Sequence, residues 1–263
     1  MLIGRNRELD SLRSAILSRR SLIIHGPAGS GKSALLQSVL DSLPEEVRAR
    51  CLFCSAFASP HQIWQRLVAS LGAVGDPVVL ERMRKEADPV STVNSWVNRQ
   101  TSLRLRGILR RAFRARDYLV FLDPPHPLPD GVYRLLQEWI WSGRVPVYLT
   151  SRETSETQLG RISGLFWHAG LRLALGPLSR LDAQLLLDQS MAAFHLDSAV
   201  DPEFREFAMQ QTHLLPGRIV DLCRLASSPV YRSHGHFKLH TLAVDSLLLQ
   251  GDPARALKRK AGP

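Results

Sequence analysis

The sequence predicts an α/β fold with a parallel sheet, followed by a small all-helical domain. Over roughly the first two thirds of the chain, short apolar runs alternate with amphipathic stretches, which is typical of strands connected by helices. One of these runs passes through a glycine-rich loop directly into a helix. After Gly176 and Pro177 the strand-like runs stop, and only helical periodicity follows.

Five short apolar runs are expected to form the strands. The first, Leu22–Ile24, ends at His25, and the run Tyr118–Leu122 is apolar throughout, which is typical of a strand buried on both faces. The remaining runs cover residues 51–54, 145–149 and 171–175. Because helical stretches separate these runs, we expect neighbouring strands to be parallel.

Helical spacing of apolar residues predicts the connecting elements. The helices expected beside the sheet cover residues 7–17, 32–40, 59–71, 103–116 and 133–141. The stretch that contains Pro77 and Pro89 is interpreted as a long polar connection. The helices expected in the second domain cover residues 180–193, 202–211, 218–226 and 239–249.

These patterns predict three regions of the chain. Residues 1–175 should form the α/β domain, and residues 176–250 a helical lid domain. Residues 251–263, with Lys258, Arg259 and Lys260, should form a loose basic tail.

Composition and charge narrow the class of protein. The chain has 263 residues, of which 44% are hydrophobic and 22% charged, and it contains no apolar stretch long enough to span a membrane. Arg5, Arg7 and Glu8 also exclude a signal peptide, so we expect a cytoplasmic protein with no membrane partner. The net charge of +10 favours a polyanion such as DNA, although a merely solvated basic surface remains the alternative.

The three cysteines are best interpreted as reduced residues of the core. Cys51 and Cys54 lie in an apolar run, and no second pair of cysteines or histidines follows at the spacing of a zinc site. Cys223 completes an odd count. The cysteines therefore predict neither a disulfide framework nor a structural zinc.

The glycine-rich loop has the strongest functional pattern. It fits GxxxxGK[ST] at every position and reads Gly26, Pro27, Ala28, Gly29, Ser30, Gly31, Lys32, Ser33. Glycines let backbone N–H groups surround a phosphate, while Lys32 reaches the outer phosphates and the Ser33 hydroxyl can ligate Mg²⁺. This P-loop predicts that ATP, or alternatively GTP, binds here with Mg²⁺.

Polar residues that end two apolar runs extend the candidate site. Asp123 ends the run 118–122, where a Walker B carboxylate would hold Mg²⁺ through water. Thr150 and Arg152 end the run 145–149, where a sensor of the γ-phosphate would emerge. Pro124 follows Asp123 where many such ATPases have a glutamate. Hydrolysis could therefore be slow, or Glu153 or His126 could orient the water.

Several passages resemble AAA+ and STAND ATPases. The opening Ile3–Leu9 is similar to the "hGRxxEL" segment of these proteins, which usually lies against the adenine, and this implies that Gly4 and Arg5 bind nucleotide. The stretch Gly160–Phe166, followed by 171–179, is similar to the passage that joins base and lid. There the resemblance implies that Arg161 is a finger reaching a neighbouring subunit's γ-phosphate.

The second domain carries further similarities. Pro216–Cys223 resembles the lid helix whose arginine, here Arg218, is the sensor-2 residue, and His240–Val244 resembles the start of the last lid helix. By pattern the chain looks like the archaeal-ATPase and initiator branch, together with transposition-helper ATPases. Two departures are the residue after Asp123 and the stretch Leu214–Pro216, where a glycine is common early in the motif. No winged-helix pattern follows residue 250.

Two functions remain open at this stage. One is an ATPase that assembles head to tail as a homo-oligomer and acts on DNA. The other is a slowly hydrolysing switch whose nucleotide state is read by a protein partner. The best polyanion surface is the helix predicted over 103–116, which should turn Arg110, Arg111 and Arg114 outward. A kinase acting on a small substrate fits the helical lid less well.

Overall fold

The computed structural model describes most of the chain. The described residues are 2–55, 57, 59–86, 91–124, 130–154, 156–167, 171–196, 202–233 and 236–251. His126 and nearly all of the predicted basic tail lie outside them. In the described part, every helix is too short or too polar to cross a membrane.

A parallel sheet of five strands confirms the predicted fold class. The strands are β1 (Leu22–His25), β2 (Cys51–Ser55), β3 (Leu119–Asp123), β4 (Val147–Ser151) and β5 (Arg172–Ala174). Their spatial order is β2-β3-β4-β1-β5, and each neighbouring pair is parallel. The inner strands β1, β3 and β4 are almost wholly buried because helices cover the sheet.

Ten helices of the described chain precede, connect or follow the strands up to Leu165. They are α1 (Asn6–Leu17), α2 (Lys32–Ser42), α3 (Glu45–Arg48), α4 (Pro60–Ala73), α5 (Pro77–Glu86), α6 (Val93–Asn98), α7 (Ser102–Ala115), α8 (Asp130–Ser142), α9 (Glu156–Leu159) and α10 (Arg161–Leu165). The basic helix was correctly predicted, and its residues Arg110, Arg111 and Arg114 are exposed as expected.

The expected polar connection around Pro77 is wrong, because α5 and α6 lie there. Asp76 is fully buried and caps α5, its Oδ1 accepting the N–H groups of Val78 and Val79. Its Oδ2 accepts the Tyr118 hydroxyl at 2.6 Å. A buried carboxylate that accepts three hydrogen bonds in this way can start a helix in an otherwise polar stretch.

The second part of the chain is helical but not entirely so. It contains α11 (Arg180–Ala193), α12 (Pro202–Gln211), α13 (Pro216–Ala226) and α14 (Leu239–Gly251). An antiparallel ribbon of β6 (Arg232–Ser233) and β7 (His236–Phe237) precedes α14, so the prediction of an all-helical domain is wrong in this detail. The Phe237 ring stacks on Phe204 with centroids 4.4 Å apart, which anchors the ribbon to the helical core.

The chain divides into two compact units. The sheet unit comprises Arg7–Pro27 and Lys32–Leu175. The helical unit comprises the residues before Arg7, the loop residues Ala28–Gly31 and the chain from Gly176 onward. Each unit has its own apolar core. The boundaries predicted from the sequence remain a prediction.

Candidate nucleotide-binding site

The glycine-rich loop connects β1 to α2. The strand ends at His25 and the helix begins at Lys32. Within the loop, Gly29 and Gly31 have φ angles of 83° and 93°, a left-handed conformation that side chains with a Cβ rarely adopt. Glycine at these two positions is therefore what permits the path of the loop.

Lys32 is held within the loop that it follows. Its side chain is almost wholly buried, and Nζ donates to the carbonyl oxygens of Gly26 at 2.7 Å and Pro27 at 2.9 Å. Burial, and next the charge of Arg152, lower the pKa of this ammonium to about 8, while the charge of Asp123 opposes the shift. Lys32 is thus a partly desolvated cation with a depressed pKa.

The Asp123 carboxylate lies between two hydroxyl groups. The Ser33 hydroxyl donates to Oδ2 at 3.1 Å, and the Thr150 hydroxyl donates to Oδ1. Thr150 is itself buried. The structure thereby brings together three side chains that the sequence placed at the ends of three different elements.

The register of the sheet accounts for this convergence. Leu122 of β3 pairs with Leu149 of β4, so Asp123 and Thr150 emerge side by side. On the other side of β4, Ile24 of β1 pairs with Thr150. Because parallel strands end at one edge of the sheet, Gly26 and Pro27 after β1 and the residues ending β3 and β4 lie at that edge.

Two further predicted residues lie just beyond β4. Arg152 is exposed, yet its charge acts on Lys32, so the two side chains share one electrostatic environment. Glu153 is half-buried, and its backbone N–H donates to the Ser151 hydroxyl at 3.3 Å. Pro124 directly follows Asp123 in the described chain.

Gly4 and Arg5 belong to the helical unit together with Ala28–Gly31. Arg5 is buried, and its Nη2 donates to the carbonyl oxygen of Gly176 and, at 3.4 Å, to that of Ser30. Gly4 has a φ of 67°, and a Cβ there would lie 2.7 Å from Asp182 Cγ. The guanidinium thus ties the opening segment to the loop and to Gly176, a structural role that the sequence did not reveal.

The start of α13 also contacts the loop residues of this unit. The Gly217 N–H donates to the Gly29 carbonyl at 2.7 Å, and Pro216 at the first helical position needs no such partner. A Cβ on Gly29 would lie 3.2 Å from Arg218 Cγ. The structure therefore places Arg218 beside Gly29. Sequence reasoning missed Gly217, although its place before a predicted lid arginine was a usable signal.

Arg161 stands apart from these contacts. It is the first residue of α10 and is exposed in the sheet unit. It shares no hydrogen bond with Ser33, Asp123 or Thr150 within the described chain. Its predicted role as a finger acting on a neighbouring subunit remains a prediction.

The fold and the loop together define the class of protein. A five-stranded parallel sheet with a glycine-rich loop, a lysine and a serine at the start of α2 is a P-loop nucleotide-binding fold. The model of the AAA ATPase domain family matches residues 1–138, so the chain belongs to the AAA ATPases. As a member of that family it is an ATP-binding P-loop NTPase, which confirms the resemblance. No curated protein matches the chain.

Solved structures share the fold at low sequence identity. The Walker-type ATPase of Pyrococcus abyssi has a TM-score of 0.60 and 14% identity, with 99% of this chain and 77% of that chain covered. The Orc1 protein of Aeropyrum pernix, solved in complex with DNA, has a TM-score of 0.58 and 15% identity, with 94% and 65% covered. Cdc6p from Pyrobaculum aerophilum has a TM-score of 0.55 and 13% identity, with 86% and 62% covered. The chain thus spans less than two thirds of the lengths of the last two.

Proposed function

We propose that this chain binds ATP with Mg²⁺ at the P-loop, hydrolyses it, and works as a homo-oligomer in association with DNA. The observation that carries the proposal is the Asp123 carboxylate between the hydroxyls of Ser33 and Thr150, at the sheet edge where the loop and Lys32 lie. A carboxylate and a hydroxyl next to a phosphate-binding loop are the protein groups that hold Mg²⁺ in P-loop ATPases.

The donor set near Asp123 fits Mg²⁺. Magnesium prefers hard oxygen ligands, keeps several waters, and is usually held by one or two carboxylates together with substrate phosphates. Ser33 would ligate it directly and Asp123 through water. The described residues contain no cluster of three or more acidic, histidine or cysteine side chains, which fits an ion held mainly by phosphates rather than by protein. Bound there, Mg²⁺ supplies neutralisation of the charge that develops on the phosphate oxygens.

The chain's own residues would bind the phosphates, orient Asp123 and orient the attacking water. The loop N–H groups would hold the phosphates, Lys32 would contact the outer ones, and Thr150 would fix the orientation of Asp123. Arg218, which lies beside Gly29, would contact the same phosphates from the start of α13. Because Pro124 offers no side-chain carboxylate, we assign Glu153 to orient the attacking water and expect slow turnover.

The first experiment removes the loop cation. Lys32→Ala should weaken ATP binding by about 10- to 150-fold, because charge-assisted hydrogen bonds of about 1.5–3 kcal/mol are lost. Titration of a fluorescent ATP analogue measures this. Lys85→Ala is the matched control, since Lys85 is an exposed lysine paired with Glu81. Wild-type affinity in the Lys32 variant would disprove the site.

A second experiment tests assembly through Arg161. Arg161→Ala should keep ATP binding but lose turnover, and adding the Lys32→Ala subunit should restore part of it, because each subunit supplies what its neighbour lacks. Arg48→Ala, another exposed arginine of the sheet unit, should turn over normally. Failure to complement, with rates independent of protein concentration, would contradict a finger acting in trans.

The proposed association with DNA rests on charge and on fold. The net charge of +10 favours a polyanion, and the similar Orc1 protein was solved with DNA bound. Binding to duplex DNA should therefore weaken steeply as salt rises, and DNA should change the rate of ATP turnover. No binding at low salt in the presence of ATP would exclude this part of the proposal.

A switch read by a protein partner is the second candidate function. Two observations favour it: Pro124 occupies the place of the usual glutamate, and the start of α13 is hydrogen-bonded to the loop at Gly29. Nucleotide in the loop would then bias the position of α13 without rapid hydrolysis. ATP turnover that is unaffected by DNA and by protein concentration would favour the switch.

A further inference from the structure

A groove runs between α7 and α8 in the sheet unit, with α4 packed beside both helices. Its volume is about 310 Å³, which is enough for two or three side chains of a bound segment. None of the P-loop residues lines it. The groove is therefore separate from the nucleotide-binding residues of this unit.

The floor of the groove is apolar and aromatic. Leu135, Trp139 and Val145 are buried with 5–9% of their surface exposed, so they offer edges rather than open faces. Phe113 meets the Trp139 ring edge-on, with centroids 6.0 Å apart. At the rim, Leu103 is 79% exposed and provides an apolar surface that the described residues leave uncovered.

The rim of the groove is strongly basic. Four arginines line it, at positions 106, 110, 114 and 144, against the single carboxylate of Glu138. Arg106 is engaged, since its guanidinium lies over the Trp64 ring and 3.6 Å from Glu138. Within the described residues, Arg110, Arg114 and Arg144 form no ion pair. Three guanidinium groups thus remain available around an apolar floor.

We propose that this groove binds an amphipathic acidic segment of a partner protein, with apolar side chains on the floor and carboxylates on the arginine rim. Guanidinium groups bind carboxylates in paired hydrogen bonds, and an apolar groove takes residues from one face of a helix. The two features together match a helix with Leu or Trp one turn apart between glutamates. The proposal is independent of ATP binding.

The shape of the groove argues against nucleic acid as its occupant. A duplex presents a convex polar backbone that would leave the apolar floor unfilled, because phosphate contacts need only positive charge. Single strands bind by stacking bases on exposed aromatic faces. Here Trp139 is 9% exposed and Trp64 is covered by Arg106, so neither ring offers a free stacking face.

The test uses the intact chain and a labelled peptide. The peptide is an amphipathic helix of about four turns, with Leu and Trp on one face flanked by glutamates. Fluorescence anisotropy at about 0.15 M salt, where the Debye length is about 8 Å, limits long-range attraction. Arg110→Gln/Arg114→Gln should weaken binding about tenfold or more. Arg104→Gln/Arg111→Gln carries the same charge change on the same helix outside the groove and should bind within about twofold of wild type.

A second set of measurements changes apolar residues, first in the peptide and then in the groove. A peptide with serine in place of Leu and Trp should bind the wild-type chain much more weakly. Leu103→Ser should lower the affinity for the original peptide severalfold. ATP binding should be equal in all these variants, which separates this test from that of the nucleotide site. Equal losses of peptide affinity in both double-arginine variants would mean that binding depends only on overall charge. That result, or full affinity for the serine peptide, would overturn the proposal. Displacement of the peptide by a duplex of about 20 base pairs through the groove arginines, or self-association that depends on them, would also overturn it.

Discussion

Two regions of the molecule are organised by different means. At the carboxyl edge of the sheet, side chains orient one another: Asp123 accepts the hydroxyls of Ser33 and Thr150. At the start of α13, backbone groups orient one another instead. The Gly217 N–H donates directly to the Gly29 carbonyl, with no side chain between them. The first region places chemical groups, and the second allows a helix to approach a loop closely.

This difference predicts opposite sensitivities to substitution. Substitutions in the polar network should impair function more than stability, because the Ser33 and Asp123 side chains remain accessible to water although Thr150 is buried. A close backbone approach tolerates no added atom, because the neighbouring atoms cannot rotate away. Three predictions test this contrast, from the largest expected effect to the smallest.

Asp123→Asn should have the largest effect, and on turnover. The amide keeps the size of the side chain but loses the charge that holds Mg²⁺, so turnover should fall about 10- to 100-fold and require more Mg²⁺. Asp117→Asn is the matched control, because Asp117 lies just before the start of β3 and its carboxylate pairs with the exposed Arg19. Steady-state rates over a magnesium titration measure both. An unchanged Mg²⁺ dependence in the Asp123 variant would contradict its predicted role.

Gly217→Ala should act on stability instead. Its Cβ would lie 2.9 Å from Gly29 Cα and 3.0 Å from Gly29 O, so backbone would have to move, at a cost of about 1–3 kcal/mol. Gly107 lies in the middle of α7, and a Cβ added there would have no neighbour within 4 Å beyond its own helix backbone. Gly107→Ala should therefore raise the free energy of unfolding by about 0.5–1 kcal/mol. Denaturant unfolding gives both values. Equal stability of the two variants would show that the approach of α13 to Gly29 is not tight.

The pH dependence of ATP binding should show the smallest effect. The pKa of Lys32 is lowered to about 8, so above that pH the free ammonium loses the proton that phosphate binding requires. ATP affinity should be nearly constant below pH 7 and fall about tenfold between pH 7 and pH 9. Lys32→Arg stays charged and should show no such fall. Parallel profiles for the two proteins would assign the titration to another group.

Much of the sheet edge was predictable, because periodicity and a fixed-spacing motif are local properties. The motif located the loop, and parallel strands bring their carboxyl ends together, so Asp123 and Thr150 were predicted near it. The helix α5 was not predicted, since its start depends on Asp76 being buried against Tyr118. The helix α6, which begins after its cap residue Thr92, was not predicted either. The ribbon before α14 was also missed. Strands of two residues carry no periodicity, and Phe237 is anchored by the ring of Phe204, which is distant in sequence.

The sequence by itself determined the fold class, the loop and its lysine and serine, and the basic helix with its outward arginines. Each depends on the spacing of residues within one element. Only the tertiary structure decided that Arg5 would hold the carbonyls of Ser30 and Gly176, that Gly217 would meet Gly29, and that α7 and α8 would enclose an apolar groove. These features join segments far apart in the chain. Their positions follow from packing of whole helices, which no local pattern of residues encodes.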